Sequence, residues 1–312
     1  MIGLTPAATG CRGLGTVAAG LALLACACAS AHAAGYSEFL DSIEFRGFRA
    51  EASYSSDDNV TRAPASDALR DRVLGVRVSA GGAIPLSEHI RVAVQGFAGT
   101  QRFSTYTGLS NNFIGTQGDF FFRSSGEFGA PTWGAFLRTA KEEYESNLRD
   151  GYRHAFGLTA LKPVTDRVQL PGALTRNISD GKSRVFDARN TSLRGSADWS
   201  LGRWDTVYLG AEYRRGDTVS TAHLTPGRAD IADAVTVIRD DAYKDPTLFA
   251  YRFKASTWIM TLGYNHAFSE GQSLDFSWRL ARSTPLELRG LATASENSYT
   301  ANQFSVAYLA RF

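Results

Sequence analysis

Cysteine is almost missing from this 312-residue chain: Cys11, Cys26 and Cys28 are the only three, and all lie near the amino terminus. The remainder can form no disulfide, so a cystine-stapled framework is excluded there. Lysine is also scarce, 5 residues against 28 arginines, and methionine occurs twice. Charge of one sign is not in excess, because 33 basic residues meet 31 acidic ones for a formal +2. That balance lacks the basic surplus of a nucleic-acid binder. A mean hydropathy of −0.18 lacks the apolar bulk of a helical transporter. No run of 18 apolar residues follows the amino-terminal segment, so no membrane-spanning helix is expected.

The amino terminus is organised as an export signal. Arg12 precedes an apolar run from Thr16 to Cys28, and Ala31-His32-Ala33 supplies the small residues of a cleavage site. Residues 1–33 are therefore read as a signal peptide, with cleavage set by Ala31 and Ala33. An alternative places a lipid on Cys26 after Leu23-Leu24-Ala25. Residues 34–42 read as a short periplasmic segment, and 43–312 as one domain.

Within that domain no stretch has a convincing helical period, but segments of about ten residues alternate apolar with polar between turn-rich connections. Phe48, Ala50, Ala52 and Tyr54 share one face while Arg49, Glu51 and Ser53 share the other. Leu74, Val76 and Val78 oppose Arg77 and Ser79; Ile90, Val92 and Val94 oppose Arg91 and Gln95. Ile114, Phe120 and Phe122 oppose Asp119, and Trp133, Ala135 and Leu137 oppose Arg138. Segments near 152–162 and 167–176 alternate poorly, and Pro171 is awkward in a ladder. Gly195, Ala197 and Trp199 then oppose Arg194 and Asp198; Val207, Leu209 and Ala211 oppose Glu212 and Arg214. Phe249, Tyr251 and Phe253 have the opposite parity to Trp258, Met260, Leu262 and Tyr264, which predicts a β-bulge near Ser256 and Thr257. Leu274, Phe276, Trp278 and Leu280 oppose Asp275 and Arg279. The pattern predicts an all-β, antiparallel transmembrane barrel of about 12 strands, with 10 and 14 as neighbouring counts.

The last segment runs Phe304, Val306, Tyr308, Ala310, Phe312. This ending resembles the carboxy-terminal assembly signal of Gram-negative outer-membrane proteins, which departs here only in the small Ala310. The resemblance implies an outer-membrane location, lipid contact and docking to the barrel-assembly machinery through Phe304, Val306, Tyr308 and Phe312. Connection lengths agree, since long ones near 56–69, 104–112, 142–151, 216–246 and 283–298 alternate with shorter ones. A briefer likeness, Tyr54 to Val60, is similar to the first external loop of surface lipoprotein assembly modifiers. The helical-repeat domain of those proteins has no counterpart in this sequence.

Function must come from the inward faces and the loops. Arg49, Glu51, Arg77, Arg91, Asp119, Arg138, Arg194, Asp198, Glu212, Arg214, Asp275 and Arg279 form the expected lumen set. Arginine forks favour anions, which predicts a narrow porin-like channel for small solutes. The alternatives are a barrel plugged by its own charge pairs, displaying a lipoprotein or partner, and an outer-membrane enzyme. For the last, His89, His154, His223 and His266 stand in no nucleophile or metal motif, so no catalysis and no cofactor are expected. Asp57-Asp58-Asn59 lacks the spacing of a calcium loop and reads as a turn. The long connection holding Asp230, Asp233, Asp240, Asp241 and Asp245 reads as a solvated surface loop, with cation binding or an inward constriction as alternatives.

Overall fold

A computed structural model describes residues 47–223, 236–286 and 298–312. The signal peptide with Ala31 and Ala33, the 34–42 segment, Asp230 and Asp233 lie outside the described residues. Alternation of apolar and polar side chains gives extended chain everywhere it was expected, because a strand sends successive side chains to opposite faces. The strands are β1 (Gly47–Asp57), β2 (Asp71–Pro85), β3 (Ile90–Phe103), β4 (Asn111–Arg123), β5 (Thr132–Tyr144) and β6 (Gly151–Pro163). They continue as β7 (Val168–Gly181), β8 (Ala188–Ser200), β9 (Asp205–His223), β10 (Val237–Arg239), β11 (Leu248–Ser269), β12 (Gln272–Pro285) and β13 (Tyr299–Arg311).

Each strand pairs antiparallel with its chain neighbour, β13 pairs with β1, and β9 pairs with β11 past the three-residue β10. The result is a closed antiparallel barrel of 12 strands, as the sequence pattern predicts, with β10 a short strand paired to β11 beyond the barrel ladder. Closure removes every open sheet edge that lipid would leave unpaired. The seam is tied by Phe48 and Phe312, whose amides bond each other's carbonyls at 3.2 and 2.8 Å. Their rings lie 6.0 Å apart.

Exposed apolar side chains such as Val94, Ile114, Leu137, Leu193, Leu209, Leu262 and Phe276 mark the outward face of the barrel. Near the end that carries Gly47 and the carboxy terminus, the terminus end, Phe48, Phe122, Trp133, Trp199 and Phe268 form a belt of exposed rings; Tyr152, Tyr213 and Trp258 lie toward the other end. An apolar band between two aromatic girdles is how such a barrel meets a bilayer. Short turns join strands at the terminus end, and the longer connections lie at the opposite, loop end.

β7 forms despite its weak pattern, and Pro171 sits within it. Its missing amide costs no gross distortion, because the β7–β8 ladder pairs Gln169 with Asp198 and Gly172 with Gly195 and simply passes over Leu170 and Pro171. The bulge expected near Ser256 and Thr257 is absent. β11 keeps one register against β9 from Leu248 to His266, and its only shift against β12 lies between Ala267 and Ser269. The aromatic parity changes because the upper third of β11 leaves the lipid zone.

That departure starts at Gly216. Its pairing with Asn190 is the last between β8 and β9, and β12 releases β11 at Ala255, the residue opposite Gly216. Gly216 has φ +142°, and a β-carbon there would stand 2.4 Å from the Arg189 carbonyl oxygen. Only glycine fits such a bend. Beyond it, seven residue pairs, Asp217 to His223 with Lys254 to Leu248, form a ribbon outside the β8 and β12 ladders, with β10 added along its β11 side.

Candidate functional site: the lumen and its covered mouth

In a closed barrel the face opposite the lipid side points to the axis. The register puts the residues of the expected lumen set at one parity, opposite that of the outward apolar positions such as Leu137, Leu193, Leu209 and Phe276. Several meet directly. Glu51 pairs across strands with Arg77, and Arg194 with Glu212. The Arg77 and Arg138 guanidinium carbons lie 4.6 and 5.2 Å from the centre of the same Phe97 ring, so one buried aromatic serves two cations. Gln117 donates to Asp119 at 3.0 Å. Arg91 and Arg49 sit near the terminus end, opposite Phe121 and Arg311.

Higher in the barrel the charges are less evenly matched. Glu212 accepts from Arg214 at 2.8 Å and also lies within electrostatic reach of Arg194 and Arg279. Arg279 is close enough to feel Arg214, Glu212 and Arg62, and among the described residues it hydrogen-bonds to none of them. Arg62 itself is engaged by Asp57 at 2.5 Å at the rim. Asp57 accepts the Asn59 amide at 2.9 Å within the turn, whereas Asp58 accepts from the Asn302 amide and side chain on β13 at 2.7 and 2.9 Å.

Nearer the terminus end the balance reverses. Tyr208 Oη donates to both Asp275 oxygens at 3.0 and 3.1 Å, and Glu51 lies within electrostatic reach of the same carboxylate. Asp198, opposite Tyr208 in the ladder, is 3% exposed, and among the described residues neither carboxylate oxygen makes a hydrogen bond of good geometry; Ser196 and Arg194 are its polar neighbours. No group of three or more metal-ligating side chains occurs among the described residues.

The loop end is covered. The ribbon carries β10 and the turn Asp241–Tyr243, and these reach loops on the far side of the ring. Leu109 between β3 and β4 packs against Ala242, Tyr243 and Leu248; Gly108 approaches so closely that a β-carbon would stand 2.3 Å from the Ala242 Cα. Tyr251 packs with Ala63 and Ala222, and Ala250 with Val185 and Phe186. Burial pushes the Tyr243 phenol up, and its Oη donates to the Val60 carbonyl at 3.0 Å. Asp240, with no exposed surface, accepts from Arg149 at 2.5 Å and from Thr221 at 2.6 Å. Ser146 donates to Asp241, and Arg252 to the Asp187 carbonyl.

The expected solvated loop is thus corrected for its described part: Asp240 and Asp241 are pinned to the loop between β5 and β6, and Asp245 caps Thr247 at 2.9 Å. The Asp245 carboxyl is held below the ordinary carboxylate range by those bonds from the Thr247 hydroxyl and amide. Aspartate content misled because the sequence does not show which acids meet a buried arginine. Tyr208, Phe97 and Arg149 carry much of the organisation and were not singled out. Inward parity at Tyr208, with glycine at Gly263 on the facing strand, was the available signal.

Comparison with solved structures matches this architecture. A channel from the outer membrane of Pseudomonas putida F1 superposes with TM-score 0.53 at 12% identity, covering 87% of this chain and 98% of that one. The fold is that of an outer-membrane channel barrel. Weaker matches, each covering 85% of this chain and 99% of the other, are a KdgM porin in complex with disordered oligogalacturonate and a NanC porin, both at TM-score 0.43 and 8% identity. No family model matches the chain, and no curated protein does. The outer-membrane barrel therefore rests on fold and lipid-facing surface rather than on sequence kinship.

Proposed function

We propose that this outer-membrane barrel is a narrow passive channel for small solutes whose arginine-rich lumen prefers anions. The observation that carries the reading is the cluster in which Arg214 and Arg279 lie about the carboxylate Glu212, with Arg62 also within electrostatic reach of Arg279. Two guanidinium groups around one acid leave a positive field in a low-dielectric wall, where such a field raises the local anion concentration. Arg279 has no acceptor among the described residues, so its forked donors are available to a passing anion. The acids Asp198 and Asp275 near the terminus end set the opposite sign there and limit the net preference. Lipid contact is made by the exposed aliphatic face, and the terminal strand with Phe304, Val306, Tyr308 and Phe312 is the segment offered to the assembly machinery.

The test is the reversal potential of the purified chain in a planar bilayer across a salt gradient. Anion preference that falls when Arg279 is changed to Gln supports the reading. A bilayer that stays silent although insertion is verified favours instead a plugged barrel that displays a partner.

A further inference from the structure

The β9–β11 ribbon is placed to act on the mouth as a whole. In the ring of strands, the β9–β11 seam and the β3–β4 seam are diametrically opposed, with four strands between them on either side. Yet the turn carried by the ribbon packs on Leu109 and Gly108 of the β3–β4 loop. The ribbon must therefore cross the entire opening. Lengths agree: strands spaced about 4.8 Å and tilted about 40° give a 12-strand barrel a diameter of about 24 Å. Seven paired residues at about 3.3 Å each reach about 23 Å.

Three features separate this ribbon from a fixed plug. Beyond Gly216 and Ala255 its strands leave the β8 and β12 ladders, and its bonds to the rim are scattered ones, among them the Thr221 amide to the Thr61 carbonyl at 2.9 Å, the Leu286 amide to the Lys254 carbonyl at 2.9 Å and Ser220 to the Arg62 carbonyl. Its base is a glycine with positive φ, one residue at which a ribbon can swing. Its far end is held by side chains, chiefly the Arg149–Asp240 pair and the Ser146–Asp241 bond. A charge-assisted pair with no water access is strong while made, and loses its basis once one partner withdraws.

We infer that the ribbon is a hinged lid, closed in this structure, that turns at Gly216 and is latched over the mouth by Asp240 on Arg149. Solute passage requires the latch to open. The inference rests on the channel reading above, since a lid matters only over a path.

The test uses the absence of cysteine after residue 28. The double variant Ser146→Cys with Asp241→Cys, exported with its own leader and purified from the outer membrane, joins lid to rim. The expected result is a disulfide that forms on purification, seen as a mobility shift reversed by dithiothreitol. Conductance falls at least tenfold in the oxidised form and returns on reduction. A second variant, in which residues 218–253 are replaced by Asn-Gly, removes the lid and leaves the barrel ladder intact; its channels stay open longer than those of the parent chain. Failure of the disulfide to form overturns the closed placement. Equal conductance in oxidised and reduced forms overturns the gating. Silence of every form, lid-less included, overturns the channel reading and the gating with it, while a formed disulfide would still verify where the ribbon lies.

Discussion

Tyr208 on β9 reaches across Gly263 on β11 to hydrogen-bond Asp275 on β12, joining three strands through one side chain. A β-carbon at Gly263 would lie 2.1 Å from the Tyr208 ring, so the reach exists only because the middle strand carries glycine. Replacing Gly263 with Ala is expected to destabilise the barrel by about 1 to 3 kcal/mol through overpacking. Tyr208→Phe, which keeps the ring but leaves the Asp275 carboxylate without that donor, is expected to cost about 1 to 3 kcal/mol. Urea unfolding in lipid vesicles measures both. Wild-type stability in Gly263→Ala would show that the tyrosine has another resting place.

Lipid contact makes a different demand. Leu209 and Leu262 are exposed and cross-strand neighbours on the outward face. Leu262→Arg is expected to cost about 2 to 4 kcal/mol, the penalty for a cation near the bilayer midplane. The same substitution at inward Thr261 is expected to cost far less. Equal penalties would invert the assignment of faces.

Among the described residues Asp198 has Ser196 and Arg194 as polar neighbours but no hydrogen bond of good geometry to either carboxylate oxygen. Asp198→Asn removes the charge and keeps the shape, so it is expected to raise stability by about 1 to 3 kcal/mol, because a buried charge costs more to desolvate than a buried amide. A loss of stability in the same unfolding assay would mean that the carboxylate holds a partner not visible in the fold.

Gly216 is the bend of the ribbon. Gly216→Ala places a β-carbon against the Arg189 carbonyl and forces a left-handed φ on a residue that resists it. The expected cost is about 1 to 3 kcal/mol, felt first as faster proteolysis of the ribbon rather than of the barrel. Uniform loss of protease resistance along the chain would argue that the bend belongs to the barrel itself.

The barrel was legible because each lipid-facing strand obeys one rule over its whole length. Val94 or Leu209 has lipid on one side and an inward neighbour on the other, so a period of two survives in the sequence. The lid was not legible for the same reason in reverse. Phe249, Tyr251 and Phe253 share a parity because that ribbon face turns toward Ala63 and Ala222, and the rule of lipid outside no longer applies there. Read as lipid-facing, those rings demand a bulge; read as packing under a lid, they need none. The lumen set was legible as a face, since parity fixes which side a residue takes. Its pairings were not, because Arg77 meets Phe97 and Tyr208 meets Asp275 only through strand registers that no local pattern encodes. Pro171 shows tolerance: a ladder anchored at Gln169 and Gly172 passes over it.

Single-channel recording with a salt gradient tests the central claim most directly. The predicted result is discrete steps whose reversal potential favours anions and moves toward neutrality in Arg279→Gln. Cation-favouring steps, or a reversal potential unmoved by that substitution, would contradict it.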